Sequence, residues 1–156
     1  MGSRWAERCS AALLFAASPL AAQQVREVGL LATVTASDPA LVVGGVSGAI
    51  RTSARTRVSL ALGLGGSDGE AAWRGELLAH FLLHPDRRHG AGIYGAGGLA
   101  LVAGPVDQGY LVLTLGLEAN PGGPSGWFVE GGVGGGARLS AGYRWRKRRA
   151  ELPGPE

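Results

Sequence analysis

Residues 55–65 read Arg-Thr-Arg-Val-Ser-Leu-Ala-Leu-Gly-Leu-Gly, and this stretch decides the fold. Arg55, Arg57, Ser59, Ala61 and Gly63 fall on one parity, and Val58, Leu60, Leu62 and Leu64 fall on the other. A strand sends successive side chains to opposite faces, whereas a helix sorts them with a period of about 3.6 residues. Residues 55–65 therefore predict a strand with one aliphatic face and one polar or small face.

The same sorting extends along the chain in both directions. Upstream, 25–36 sets Val28, Leu30, Ala32 and Val34 against Glu27, Gly29, Thr33 and Thr35, and 40–51 sets Val42, Val46 and Ile50 against Gly45, Ser47, Ala49 and Arg51. Downstream, 71–83 places Trp73, Leu77, Ala79, Phe81 and Leu83 opposite Arg74, Glu76 and His80. Four further strands are predicted over 91–103, 109–119, 126–134 and 137–146. The last pair opposes Trp127, Val129 and Val133 to Phe128 and Glu130, then Leu139, Ala141, Tyr143 and Trp145 to Arg138, Ser140, Gly142, Arg144 and Arg146. Turn chemistry separates them: Ser37-Asp38-Pro39, Gly65-Gly66-Ser67-Asp68-Gly69, the polar run 85–90, and Asn120-Pro121-Gly122-Gly123-Pro124-Ser125.

Eight strands of roughly nine to thirteen residues match the length a tilted strand needs to cross the hydrocarbon core of a bilayer. An even number returns both chain ends to one side. The expected fold is all-β: an eight-stranded antiparallel up-and-down transmembrane β-barrel preceded by a signal peptide.

The first 22 residues carry the leader pattern. Arg4 and Arg8 make a basic start, 11–17 is apolar, Ser18 and Pro19 break the run, and Leu20, Ala21 and Ala22 offer small residues for cleavage before Gln23. The domain reading is thus a signal peptide at 1–22, the barrel at 23–146, and a short basic and polar tail at 147–156. Cys9 is the single cysteine and lies in the leader, so the mature chain is expected to fold without disulfides. The formal charge of the whole chain is +3, and loss of Arg4, Arg8 and Glu7 with the leader leaves +2. That balance excludes a nucleic-acid binder, because the basic excess is gathered at Arg144, Arg146, Lys147, Arg148 and Arg149 rather than interleaved with aromatics. Beyond the leader the longest uncharged run, 90–106, contains Gly90, Gly92, Gly95, Gly97, Gly98 and Gly104, a poor helix composition.

Alternation alone leaves open which face points inward. The aliphatic parity is almost free of polar atoms, and Trp73, Trp127, Tyr143 and Trp145 lie on it near predicted strand ends, as an aromatic girdle at the membrane interfaces would. The other parity carries both signs of charge: Glu27, Glu76, Glu118 and Glu130 beside Arg51, Arg55, Arg57, Arg74, Arg138 and Arg144. A narrow eight-stranded barrel is filled by side chains, so charges enclosed there must pair. The expected arrangement is an inverted one, with leucines in lipid and a lumen charge network of Glu27, Arg55, Arg57, Arg74, Glu76, Glu118, Glu130, Arg138 and Arg144. The 28 glycines leave room for long arginines across such a lumen.

With leader, alternating strands and a final aromatic strand in place, the chain resembles the small outer-membrane β-barrel proteins of Gram-negative-type bacteria, the OmpA/OmpX-like barrel superfamily. The resemblance spans 25–146. Its most specific piece is Leu139-Ser140-Ala141-Gly142-Tyr143-Arg144-Trp145, similar to the C-terminal strand that the assembly machinery of that family recognises. The resemblance implies an outer-membrane location, outer-membrane lipids and the barrel-assembly machinery as partners, and no nucleic acid. Two departures accompany it: eleven residues follow Trp145, and no predicted connection exceeds about seven residues.

Chemistry-bearing motifs are sparse, and no catalytic residue, metal site or cofactor is expected. His80 and His84 share a parity about 13 Å apart along an extended chain, too far to ligate one metal. No His-x-Ser pair is present, and His80 belongs to the lumen parity. The glycine runs at 131–136 and 95–98 lack the strand-turn-helix context of a phosphate loop. The leading reading is a non-enzymatic envelope protein. Two alternatives stand beside it: a soluble periplasmic barrel binding an apolar ligand on a leucine-lined inner face, and a lipid-modifying barrel enzyme.

Overall fold

The computed structural model describes residues 25–105 and 107–148, the side chain of Arg148 excepted. The expected leader at 1–22 and the tail residues 149–156 lie outside the described residues. Eight strands are present: β1 Val25–Ala36, β2 Leu41–Arg51, β3 Thr56–Ser67, β4 Glu70–Leu82, β5 Ala91–Ala103, β6 Gln108–Ala119, β7 Ser125–Val133 and β8 Ala137–Arg148. Each pairs antiparallel with the next, and β8 returns to β1 to close the barrel. No described residue is helical. Closure removes the exposed edges on which an open sheet would aggregate.

β8 runs two residues beyond its expected end. Lys147 pairs with Arg26 and Arg148 with Val25, so the start of the expected tail belongs to the barrel wall. At the other extreme, the two-residue hairpin Asp68-Gly69 joins β3 to β4, with φ of 53° and 79°. A turn of that kind needs left-handed backbone at both positions, which aspartate and glycine supply at low cost.

The connections sort by end. At the hairpin end lie 37–40, 68–69, 104–107 and 134–136. At the terminal end, beside both chain ends, lie 52–55, 83–90 and 120–124. The longest, 83–90, has eight residues, one more than expected, because β4 stops at Leu82.

Burial alternates along every strand with the hydrophobic sense inverted. Leu111 is 78 % exposed, Leu64 76 % and Leu115 73 %, while Arg57 is 0 % and Glu118 1 % exposed. The leucines converge on nothing, which leaves no leucine-lined cavity for the apolar ligand of the soluble alternative. Buried apolar side chains form two small clusters, Leu78, Ala96, Ala100 and Val112, and Leu41, Val43 and Ala72, with Val25, Leu82, Tyr94, Ala119 and Phe128 buried outside them.

Candidate functional site

The lumen is the site, and each strand places its inward parity there. In the terminal half, Glu27 of β1 accepts from Arg51 Nε at 3.0 Å and Arg57 Nη1 at 3.1 Å. Glu118 of β6 accepts on Oε2 from Arg57 Nη1 at 2.9 Å, Arg144 Nη1 at 3.1 Å and Arg146 Nη2 at 3.3 Å. Arg144 then crosses to Glu130 of β7, 3.0 Å away. In the hairpin half, Arg138 donates to Glu130 at 3.1 Å and grips Glu76 with Nε and Nη2 at 3.0 and 2.7 Å. Arg74 completes the chain, with Nε on Glu76 at 2.6 Å and Nη2 on the Gly134 carbonyl at 3.0 Å. The two-pronged contact is the strongest geometry a guanidinium and a carboxylate can adopt. One continuous chain of ion pairs thus ties β1, β2, β3, β4, β6, β7 and β8 together across the axis.

Arg55 is not part of it. Parity assigns it inward, but β3 begins at Thr56, and the preceding turn is bent by hydroxyl bonds among Thr52, Ser53 and Thr56. Arg55 is exposed in that turn. Arg146, on the parity of Arg144 but left out of the expected network as part of the basic cluster, reaches inward to Glu118.

Three lumen residues are missed by a search for charge alone. The buried Tyr94 hydroxyl donates to Glu130 Oε1 at 2.7 Å, and its ring lies 5.1 Å beneath the Arg57 guanidinium. Its cross-strand partner is Gly116, where a Cβ would come within 2.3 Å of the ring, and that pairing of a large residue with a glycine is the signal. Phe128 stacks under Arg144 at 3.7 Å. Ser59 Oγ sits 2.7 Å from His80 Nε2, while Arg57 Nη2 lies 3.3 Å from Nδ1. A guanidinium only donates, so Nδ1 accepts and Nε2 carries the proton toward Ser59. This imidazole has no lone pair to take a proton from that serine. His84 and His89 are exposed in the 83–90 connection.

The expected aromatic girdle occupies two levels without forming a ring. Trp127, Tyr143 and Trp145 gather on β7 and β8 toward the terminal end, with the Tyr143 and Trp145 rings 5.1 Å apart. Trp73 stands toward the hairpin end of β4.

Free space within the network is a cavity of about 20 Å³, room for one water. Larger volumes open at the mouths, about 470 Å³ at the terminal end and about 210 Å³ at the hairpin end, and a shallow depression of about 540 Å³ lies along the wall beside Val58, Ala79, Phe81, Gly97 and Leu113.

In sequence the chain matches no known protein family and no curated protein. Its backbone is another matter. The N-terminal β-barrel domain of Pseudomonas aeruginosa OprF superposes with a TM-score of 0.66 at 14 % identity, over 80 % of this chain and 98 % of that one. The fold is that domain's closed eight-stranded barrel. Ail, the attachment invasion locus protein of Yersinia pestis, matches with a TM-score of 0.54 at 12 % identity, again over 80 % of this chain and 98 % of its own. At those identities the shared property is the eight-stranded barrel, and the lumen chemistry is argued from this chain's residues alone.

Proposed function

We propose that the chain is a non-enzymatic outer-membrane protein with a structural or envelope role, its lumen sealed by the arginine and glutamate network and both termini in the periplasm. The observation that carries this reading is the inversion: an uninterrupted aliphatic wall outside, and ten charged side chains inside, none more than 8 % exposed. Water offers nothing to such a wall, whereas a bilayer core matches it. The filled lumen speaks against a general pore, and the short connections speak against an adhesin. Outer-membrane lipids are its surroundings, and β8, ending in Tyr143-Arg144-Trp145, is the strand the barrel-assembly machinery would engage. The Ser59-His80 pair argues against hydrolytic chemistry, since an arginine holds the nitrogen that an acidic residue would have to orient.

The test is electrophoretic and electrical. Detergent-extracted protein should migrate faster unheated than boiled, as closed barrels do, and should show no stepwise conductance in planar bilayers. Release with the periplasmic extract, without detergent, would end this reading. Envelope lipids altered by overexpression, and restored by His80→Ala, would favour the lipid-modifying enzyme.

A further inference from the structure

We propose that the terminal-end mouth of the barrel is a binding site for a phosphate group. Among the described residues the buried network holds six arginines, Arg51, Arg57, Arg74, Arg138, Arg144 and Arg146, against four glutamates. His80 adds no charge, because its Nδ1 accepts from Arg57. Two positive charges are left over, and their location is specific. Arg74 and Arg138 lie against Glu76 and Glu130 in the hairpin half, whereas Arg51, Arg57, Arg144 and Arg146 crowd Glu27 and Glu118 in the terminal half, with only Arg144 reaching on to Glu130. Uncompensated charge in a dry interior is costly, so the surplus favours a bound anion.

The surplus borders open space. Arg51 and Arg146 line the terminal vestibule of about 470 Å³, joined there by the exposed Arg88 and His89, and no carboxylate lines it among the described residues. Arg146, nearly buried, keeps an Nε that makes no hydrogen bond; the nearest carboxylate oxygen, on Glu27, is 3.7 Å away. The vestibule has a built floor and wall. Arg51 donates to the Pro121 carbonyl at 2.6 Å and to the Pro85 carbonyl at 3.3 Å, and Arg146 donates to the Asn120 carbonyl at 3.2 Å, so the 83–90 and 120–124 connections are fastened to the same two guanidiniums. Gly122 N–H to the Arg87 carbonyl, at 2.9 Å, ties one connection to the other and keeps Arg88 and His89 at the rim. Guanidinium forks match the oxygen geometry of phosphate, and a phosphate monoester near neutral pH carries a charge of about −1.5 to −2, the size of the surplus.

The charge of the surrounding surface agrees. The exposed charged residues of the terminal end are Arg26, Arg55, Arg87, Arg88 and Lys147 with one opposing Asp86, whereas those of the hairpin end are Asp38, Asp68, Glu70 and Asp107. The phosphate could belong to a free anion or to a lipid headgroup of the leaflet at that end. Only the second source rests on the membrane reading above.

The test uses the mature chain refolded in a sugar-based detergent free of phosphate. Calorimetric titration with inorganic phosphate at fixed ionic strength should give saturable binding of one equivalent. Arg88→Gln with His89→Gln, both at the exposed rim, should weaken it about tenfold or more, the loss expected for charge-assisted contacts. Arg55→Gln removes a similar charge from the same end outside the vestibule and should leave it nearly unchanged. Displacement of phosphate by short-chain phosphatidylglycerol, but not phosphatidylcholine, would identify the headgroup as the source, and failure of both lipids to compete would identify the free anion. No saturable binding, or equal weakening by Arg55→Gln and the Arg88 and His89 pair, would overturn the site while leaving the sealed barrel intact.

Discussion

The two halves of this barrel share one wall and differ in everything the wall encloses. Toward the hairpin end the connections are as short as two residues, the exposed charges are acidic, and the lumen is charge-balanced beside Leu41, Val43, Leu78 and Val112. Toward the terminal end the connections lengthen, the exposed charges are mostly basic, and four arginines crowd two glutamates, with only Arg144 reaching on to Glu130. The outer surface shows no such gradient: Val28 near one end and Leu64 near the other are both exposed aliphatics. The lipid surroundings proposed above would ask the same of both halves of the wall. Only the lumen and the rims were free to diverge, and that is where any specific role of this chain has to be sought.

The sharpest break in the contrast comes from the glutamates. Glu118→Gln leaves Arg57, Arg144 and Arg146 facing a neutral amide where the surplus is already greatest, and should cost about 3–5 kcal/mol in urea unfolding from lipid vesicles. Glu76→Gln should cost less, because Arg138 keeps Glu130 and Arg74 keeps the Gly134 carbonyl. Equal losses would erase the difference between the halves. Next in size is the wall. Leu113→Arg, at a position 65 % exposed near the middle of β6, should lose about 2–4 kcal/mol and lower the yield of membrane-assembled protein.

Smaller effects sharpen the picture of the lumen. Gly116→Ala would drive a methyl into the Tyr94 ring and should cost about 1–3 kcal/mol by the same unfolding assay. Gly48→Ala, where a Cβ meets nothing within 4 Å, should stay within about 0.5 kcal/mol. The smallest change is expected at Thr114→Ala, about 0–1 kcal/mol, since the buried Thr114 hydroxyl already lacks a partner. A Thr114→Ala loss as large as that of Leu113→Arg would contradict the assignment of inner and outer faces.

The strands were legible because alternation is a local code. Once backbone hydrogen bonds hold a residue in a ladder, its face follows from parity, and 55–65 displays this without ambiguity. The same rule misplaced Arg55, where the ladder has ended and the hydroxyls of Thr52, Ser53 and Thr56 direct the chain instead. It put Arg146 on the parity of Arg144, but at the edge of the basic run Arg144, Arg146, Lys147, Arg148 and Arg149 parity could not tell that this side chain is enclosed against Glu118. Tyr94 was unread for a different reason. Its parity opposite Ile93 is plain in the sequence, but its value depends on Gly116 across β6 and Glu130 on β7.

What the sequence determined by itself is the strand count, from a period of two and from turn residues that act within a few positions, and the expected inversion, from an aliphatic parity almost free of polar atoms opposite one that carries both signs of charge. Which carboxylate meets which guanidinium was decided only by tertiary structure. Closure of β8 onto β1 sets the stagger of the strands around the ring, and stagger alone decides which inward side chains reach the same height on the axis. Glu118 and Arg57 are 61 positions apart in the chain and 2.9 Å apart in the lumen.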